Sequence, residues 1–249
     1  MKLTKIILCS LIATLPAMAN AEDIQDPFYL PQANHLLSDT AFSFSKAKID
    51  FGIQLEPEIK ILSETLTYGI TDALFAKASF ANSWIDFKSN LVDKYESRSW
   101  DMGLAYQMPL EQNTALTLGA YYTEDRDEGQ DRENTVKAEA LLELMKDQEL
   151  KPFAAVTYER DAEYFSKSHD SYDFEAGVWT KLDKASVKAS LNYDYNHHDT
   201  VSLTYLNVEA NYGFAENIAL GAGISSLLHE HNSPFSSQTT YGVHAKLIF

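Results

Sequence analysis

The chain has 249 residues and a formal net charge of -16, with 36 acidic against 20 basic side chains. This balance argues against a nucleic-acid-binding protein, because phosphates are normally held by a surplus of lysine and arginine. The mean hydropathy is -0.27, and no apolar run near the length of a membrane-spanning helix occurs in mid-chain, which excludes a bundle of such helices. Aromatic residues make up 12% of the chain, which argues against global disorder.

The first 21 residues have the three parts of a secretory signal peptide. Lys2 and Lys5 give a positive start, residues 6–15 are apolar, and a small-residue motif ends at Ala21. The apolar stretch is too short for a membrane anchor, so we expect export with cleavage after Ala21. Cleavage removes Cys9 and leaves a chain without cysteine, so disulfides do not hold the exported protein together.

The next segment, residues 22–40, contains two prolines and no clear period, which predicts an extended N-terminal periplasmic segment. From residue 41 onward, apolar and polar side chains alternate with the period of 2 that is typical of β-strands. In residues 185–195, for example, Leu191 and Tyr193 lie on the face opposite Asn192. The predicted strands span 41–54, 58–69, 73–84, 98–108, 114–124, 134–144, 150–160, 170–182, 185–195, 201–214, 217–228 and 238–249.

The connections between these strands alternate between short turns and longer loops. This alternation, together with apolar faces that repeat along the chain, predicts a closed antiparallel up-and-down barrel of about 12 strands, with 10–14 possible. Two stretches fit less well. Residues 132–150 are also compatible with a short amphipathic helix, and the alternation slips in residues 59–68, where a bulge would turn Glu64 away from the lipid.

The last predicted strand carries the most specific motif. A terminal aromatic residue is preceded by apolar or aromatic residues at every second position: Tyr241, Val243, Ala245, Leu247 and Phe249. This pattern resembles the C-terminal signature of Gram-negative outer-membrane β-barrel proteins. The resemblance implies an all-β transmembrane barrel over residues 41–249, an outer-membrane location, and recognition of this strand by the barrel-insertion machinery. The alternative is a periplasmic β-sandwich that ends in phenylalanine by chance.

If the apolar face meets lipid, the polar face lines the lumen. The charged residues assigned to the lumen are Lys48, Asp50, Lys77, Asp101, Lys137, Glu139, Asp173, Glu175, Lys188, Asp194, Glu209 and Lys246, together with Glu56, Lys60, Glu143, Lys151, Glu159 and Lys181. Because both signs are present, we expect a porin-like channel for passive diffusion of small hydrophilic solutes. An acidic loop over residues 124–133 would favour cations at its mouth. The alternative is an interior closed by ion pairs.

Other functions have weaker support in the sequence. His197, His198, His229 and His231 fall in predicted outer loops and are candidate metal ligands, although exposed loop histidines without a metal are the simpler interpretation. His197, His198, Asp199 and Ser202 are candidates for a lipid or peptide hydrolase, but no motif of such an enzyme surrounds them. A structural or adhesive barrel is the third alternative. We expect no cofactor and no nucleic acid; the expected partners are outer-membrane lipid, lipopolysaccharide, the insertion machinery and small solutes.

Overall fold

In the computed structural model, the described residues are 24–50, 54–88, 94–111, 113–127, 132–144, 148–161, 170–197 and 199–249. The predicted signal peptide lies outside them, as do His198 and the tip of the acidic loop at residues 128–131. No helix among the described residues has the length and apolar character needed to cross a bilayer.

The described residues form a 13-stranded antiparallel sheet in which the long strands pair in chain order, while the two-residue β2 pairs only with β1 and leaves β1 to pair with β3. The strands are β1 (Leu36–Asp50), β2 (Gln54–Leu55), β3 (Glu58–Gly69), β4 (Leu74–Asp86), β5 (Tyr95–Glu111), β6 (Thr114–Asp127), β7 (Arg132–Glu143), β8 (Leu150–Asp161), β9 (Asp170–Leu182), β10 (Ala185–Asn196), β11 (Val201–Ala215), β12 (Ile218–His231) and β13 (Phe235–Ile248).

The sheet closes on itself because β1 pairs with β13 as well as with β3. The closure extends to the end of the chain, where the amides of Leu36 and Phe249 donate to each other's carbonyl oxygens at 3.1 and 2.9 Å. A closed barrel leaves no unpaired strand edge, which is the condition for a β-structure to exist in a bilayer. The prediction of a closed antiparallel barrel with about 12 strands is confirmed, with the two-residue β2 as an addition at its rim.

The two ends of the barrel differ in their connections. Both termini of the barrel and the tight turns lie at one end, here called the short-turn end. The turn between β9 and β10 has only two residues, and Asp183 adopts the left-handed backbone (φ 55°) that such a turn needs. The opposite end, here called the long-loop end, carries the connections after β4, β6, β8, β10 and β12.

The outward face of the barrel is an apolar belt. Large apolar side chains are exposed on every long strand, among them Phe42, Leu66, Phe80, Met102, Leu118, Val136, Phe174, Leu191, Val208, Leu220 and Val243. Tyr68, Tyr106, Tyr212 and Phe214 are exposed at the short-turn end, and Trp84 and Tyr122 near the long-loop end. In water this surface would be highly unfavourable, whereas apolar strands flanked by aromatic residues suit a bilayer.

Strands β7 and β3 settle the two stretches in which the sequence pattern was unclear. Residues 132–143 form strand β7, so the alternative helix is wrong. The expected bulge in β3 is absent, because β3 pairs without interruption with both β1 and β4. Glu64 therefore stays on the outward face opposite Phe80, where Ser38 Oγ donates a hydrogen bond to Glu64 Oε1 at 3.4 Å. The hydrogen bond from Ser38 gives the outward-facing Glu64 carboxylate a donor, so the strand holds this residue without the predicted bulge.

Candidate functional site

The interior face of the barrel is built by the residues that alternate with the apolar belt. In β10, Ser186, Lys188 and Ser190 point inward, while Leu191 and Tyr193 are exposed outside. The same alternation aims charged side chains of β4, β5, β7, β8, β9, β11 and β13 at the lumen. Polar side chains are stable there only if they form hydrogen bonds or ion pairs with one another or with water.

Two interior lysines each lie between two carboxylates. Lys137 Nζ is 3.2 Å from Glu159 Oε1 and 3.4 Å from Glu139 Oε1. Lys188 Nζ is 3.3 Å from Glu175 Oε1 and 3.7 Å from Glu209 Oε2. Glu139 shares β7 with Lys137, and Glu159 lies on the neighbouring β8, whereas Glu175 and Glu209 lie on the two strands that flank Lys188. Each lysine therefore links at least two strands of the barrel wall.

Asp173 and Asp194 form an acidic pair without a lysine. They lie directly opposite each other in the β9–β10 register. Asn192 Nδ2 donates to Asp173 Oδ2 at 2.9 Å, while Asp194 Oδ1 is buried and accepts no hydrogen bond from the described residues. Asp101 Oδ1 on β5 is in the same condition. The interior therefore keeps negative charge that its lysines do not neutralise.

Carboxylates outnumber ammonium groups on the interior face in the described part of the chain. Among the predicted lumen residues, the inward-facing set is Lys77, Lys137, Lys188, Lys246, Asp101, Glu139, Asp173, Glu175, Asp194 and Glu209. Glu143, Glu159 and Lys151 of the predicted set also face inward, and the structure adds the carboxylate of Asp39, which the sequence did not assign to the lumen. That these charges border a conducting path stays a prediction.

Lys48 and Asp50 do not belong to this interior set. The pairing of β1 with β13 is regular from Leu37 to Lys48, so the period of 2 carries Lys48 to the same face as Phe42 and Phe44. Asp50 has the same parity and is exposed near the long-loop end. Their assignment to the lumen is wrong because it required a change of phase that β1 does not make. Lys60 lies on the outward face for the same reason.

The short-turn end of the lumen is apolar. Phe75, Phe153 and Trp179 point inward there and are almost completely buried, as are Leu37 and Ile248. Lys151 Nζ covers the Trp179 ring at 4.0 Å from its centroid. An apolar ring inside a water-filled barrel is unfavourable unless something covers it.

Residues 24–30, here called the N-terminal plug, cover this ring from within. Ile24 is 1% exposed and packs with Leu37, Ala219 and Ile248. The Phe28 ring meets the Phe153 ring edge-on with centroids 4.7 Å apart, a geometry that aromatic pairs favour. The plug therefore lies inside the barrel, whereas the sequence predicts residues 22–40 to be an extended periplasmic segment.

Polar contacts fix the plug as well. Ser186 Oγ donates to the Gln25 carbonyl oxygen, and Lys246 Nζ donates to the Asp26 carbonyl oxygen at 3.0 Å. Lys188 Nζ lies 5.6 Å from the centroid of the Phe28 ring, within the range of a cation–π contact. A local turn shapes the segment, since the Phe28 amide donates to Asp26 Oδ1 at 2.8 Å.

The plug does not fill the lumen. A cavity of about 310 Å³ remains between it and the wall formed by β1, β3–β7 and β13. Asp39, Lys77, Tyr121, Glu139 and Lys246 supply its polar lining, and Lys77 Nζ lies 5.0 Å from the centroid of the Tyr121 ring. The site is thus a polar, net acidic lumen that its own N-terminal segment narrows at one end.

The candidate metal and hydrolase residues do not come together. The described residues contain no group of three or more potential metal ligands, and His198 lies outside them. His229 and His231 are exposed near the end of β12, and the His197 ring contacts Tyr195. Ser202 is buried in β11, and within the described chain no hydrogen bond joins it to His197 or Asp199.

The sequence pattern did not predict the plug. Its available signal was the apolar and aromatic content of Ile24, Phe28 and Tyr29 in a segment that would otherwise be a solvated linker. Apolar residues beside a barrel need a surface to cover, but no sequence pattern identified the interior of the barrel as that surface.

Comparisons with known proteins identify the fold and go no further. No family model matches the chain, and no curated protein is significantly similar to it in sequence. An outer-membrane channel from Pseudomonas putida F1 superposes with a TM-score of 0.74 at 14% identity, covering 91% of this chain and 99% of that one.

Two further solved structures give the same result. The translocator domain of the autotransporter NalP from Neisseria meningitidis has a TM-score of 0.59 at 12% identity, with 91% of each chain covered. The porin NanC has a TM-score of 0.59 at 9% identity, with 84% of this chain and 98% of that one covered. The class that the fold defines is therefore the outer-membrane type of β-barrel, shared by channels, porins and autotransporter translocators.

Proposed function

We propose that this protein is a porin-like channel in the outer membrane, reached by signal-peptide-directed export, through which small hydrophilic solutes diffuse passively. The observation that carries the proposal is the opposition of the two faces of one closed barrel. The outward face is an apolar belt with aromatic residues near both ends, and the inward face bears charged and amide side chains around a cavity. A water-soluble barrel that holds a ligand would need the reverse arrangement.

The uneven charge of the lumen supports a preference for cations. Lys137 and Lys188 are each held by two carboxylates, whereas Asp173, Asp194 and Asp101 have no lysine within ion-pair distance in the described chain. Fixed negative charge on the wall of a narrow aqueous path lowers the free energy of a cation there and raises that of an anion.

With the N-terminal plug docked, the lumen is narrowed at its short-turn end. We propose that solutes pass freely when the plug leaves the short-turn end, and slowly or not at all while it is docked. The contacts of Ile24 and Phe28 with the apolar ring set the balance between these states.

Recordings in planar bilayers test the channel proposal. The full exported chain should give discrete conductance steps, and in a salt gradient the reversal potential should have the sign of cation selectivity. Insertion is checked separately by the heat-dependent gel mobility of the reconstituted barrel. Protein that inserts but never conducts, even after removal of the plug, would show that the barrel has a different role.

The C-terminal strand supports a proposal on assembly. Tyr241 and Val243 are exposed on β13, as the resemblance to insertion signatures requires, and Phe249 closes the barrel seam with Leu36. We expect Phe249→Ser to lower the amount of assembled, heat-modifiable barrel in cells severalfold. The matched control is Tyr212→Ser, which removes an exposed aromatic ring from the same end of an internal strand. Equal losses in both variants would mean that the girdle, not the C-terminal signature, is what matters.

A further inference from the structure

Three lysines lie together on the outward face of the barrel, just beyond the apolar belt at the long-loop end. They are Lys46 and Lys48 on β1 and Lys60 on β3, here called the lysine patch. The register places Lys60 between Phe44 and Trp84, and Lys46 between Thr239 and Glu58. The sequence predicts Lys48 and Lys60 to line the lumen, but both lie on the outward face, so their positive charges do not border the channel.

The lysine patch has little internal neutralisation. In the described chain, no carboxylate lies within 4.0 Å of the ammonium group of Lys46 or Lys60, and Lys46 Nζ lies 5.7 Å from the centroid of the Phe44 ring. Lys48 reaches Glu56 only at 3.9 Å, and both side chains are mostly exposed, at 65% and 72%. A pair of that kind contributes almost nothing to stability.

Other cations at the same end are paired differently. Arg98 Nη2 lies 2.9 Å from Glu96 Oε1. Lys88 Nζ lies 3.1 Å from Glu58 Oε2 and 3.3 Å from Asp86 Oδ2. The hydrogen bond to Glu58, followed by the one to Asp86, raises the pKa of Lys88 above its usual value. By contrast, the ammonium groups of Lys46 and Lys60 stay available to a ligand from outside.

A groove of about 390 Å³ runs beside the lysine patch. Lys46, Lys48, Ser237 and Thr239 line it, with the exposed Tyr241 ring at its lower edge. Hydroxyl and ammonium donors on one side and an aromatic ring toward the apolar belt on the other suit a ligand with an anionic head and an apolar body. Glu58, which also lines the groove, is already held by Lys88.

We propose that the lysine patch binds the phosphate groups of a phosphorylated glycolipid in the outer leaflet of the membrane, of the lipopolysaccharide type. The inference rests on the outer-membrane placement given under Proposed function, because only there does the outward face at the long-loop end meet such headgroups. Phosphate is the anion of choice for clustered lysines, which act as point charges toward it. The Tyr241 and Trp84 rings then lie at the boundary between headgroup and acyl chain.

The test is equilibrium binding of lipid A to the full exported chain in nonionic detergent, measured by native mass spectrometry. The variant is Lys46→Gln/Lys60→Gln, and the matched control is Lys181→Gln/Lys184→Gln, which removes two exposed lysines from the short-turn end. The probes are bis-phosphorylated lipid A, dephosphorylated lipid A and inorganic phosphate. We expect Lys46→Gln/Lys60→Gln to bind the bis-phosphorylated lipid about thirtyfold more weakly, and the control to bind like the parent.

Three results would overturn the inference. The first is unchanged binding in Lys46→Gln/Lys60→Gln, and the second is equal binding of dephosphorylated lipid A. The third is displacement of the lipid by inorganic phosphate at equal concentration, which would make the lysine patch a free-anion site. The same protein preparations are recorded in planar bilayers, where the variant should conduct like the parent. Lipid binding without conduction would count against the channel alone, and conduction with unchanged lipid binding in the variant would count against the lysine patch alone.

Discussion

Loosening the N-terminal plug should convert a mostly closed barrel into one that conducts continuously. The variant Ile24→Ala/Phe28→Ala removes the buried side chain from the cluster with Leu37 and Ile248 and the ring from Phe153. Truncating one buried Ile costs about 3 kcal/mol. That amount shifts the ratio of docked to undocked plug by about two orders of magnitude. In planar bilayers, we expect the open probability of the variant to exceed that of the parent by a large factor.

The control for this experiment is Phe214→Ala, which removes an aromatic ring that is 70% exposed on the outside of the same end. It should leave the open probability unchanged. A second variant that deletes residues 24–30 should behave like Ile24→Ala/Phe28→Ala, which separates loss of the plug from any local effect of alanine. If both plug variants open no more than the parent while the parent conducts, the plug does not control the passage.

Neutralising the acidic pair should weaken the preference for cations. In Asp173→Asn/Asp194→Asn the side chains keep their size, and Asn192 keeps an acceptor at position 173, but the negative charge of the pair leaves the lumen. A carboxylate about 4 Å from a permeating cation contributes about 1 kcal/mol in water, or about fivefold in the permeability ratio. The reversal potential in a potassium chloride gradient should therefore move toward zero, most strongly at low ionic strength.

Two further variants give this prediction a sign test. Glu64→Gln removes a negative charge from the outward face instead of the lumen and should leave the reversal potential unchanged. Lys137→Gln removes positive charge from the lumen and should increase the preference for cations, because Glu139 and Glu159 lose their shared partner. A reversal potential that is equally insensitive to Asp173→Asn/Asp194→Asn and to Lys137→Gln would mean that ions do not pass these residues.

The strands were predictable because alternation is a local property. Residues 185–195 and 204–214 show which side chains share a face without reference to any other strand, and the structure has strands at both places. The ambiguous stretch at β7 was also assigned correctly, since a closed antiparallel barrel needs it as a strand. Where the alternation was less clear, in β1, the lumen assignment of Lys48 and Asp50 was wrong.

Contacts between distant parts of the chain were not predictable in the same way. Lys188 meets Glu175 and Glu209 only because the register of three strands aligns them. Asp173 and Asp194 have carboxylate neighbours but no lysine for the same reason. A one-residue change of register would exchange the two faces of a strand, so the sequence suggests which charges face inward but not which of them neutralise one another.

The sequence by itself determined the class of fold and its two faces, because a period of 2 follows from the geometry of the strand backbone. It also provided the apolar and aromatic residues of the N-terminal plug and the lysines outside the lumen. Only the tertiary structure decided where those residues lie. Closure of β13 onto β1 creates an interior at the short-turn end, and the apolar ring of Phe75, Phe153 and Trp179 there is covered by Ile24 and Phe28. Burial is a property of the closed barrel, so the free energy that docks the plug exists only after the strands have met.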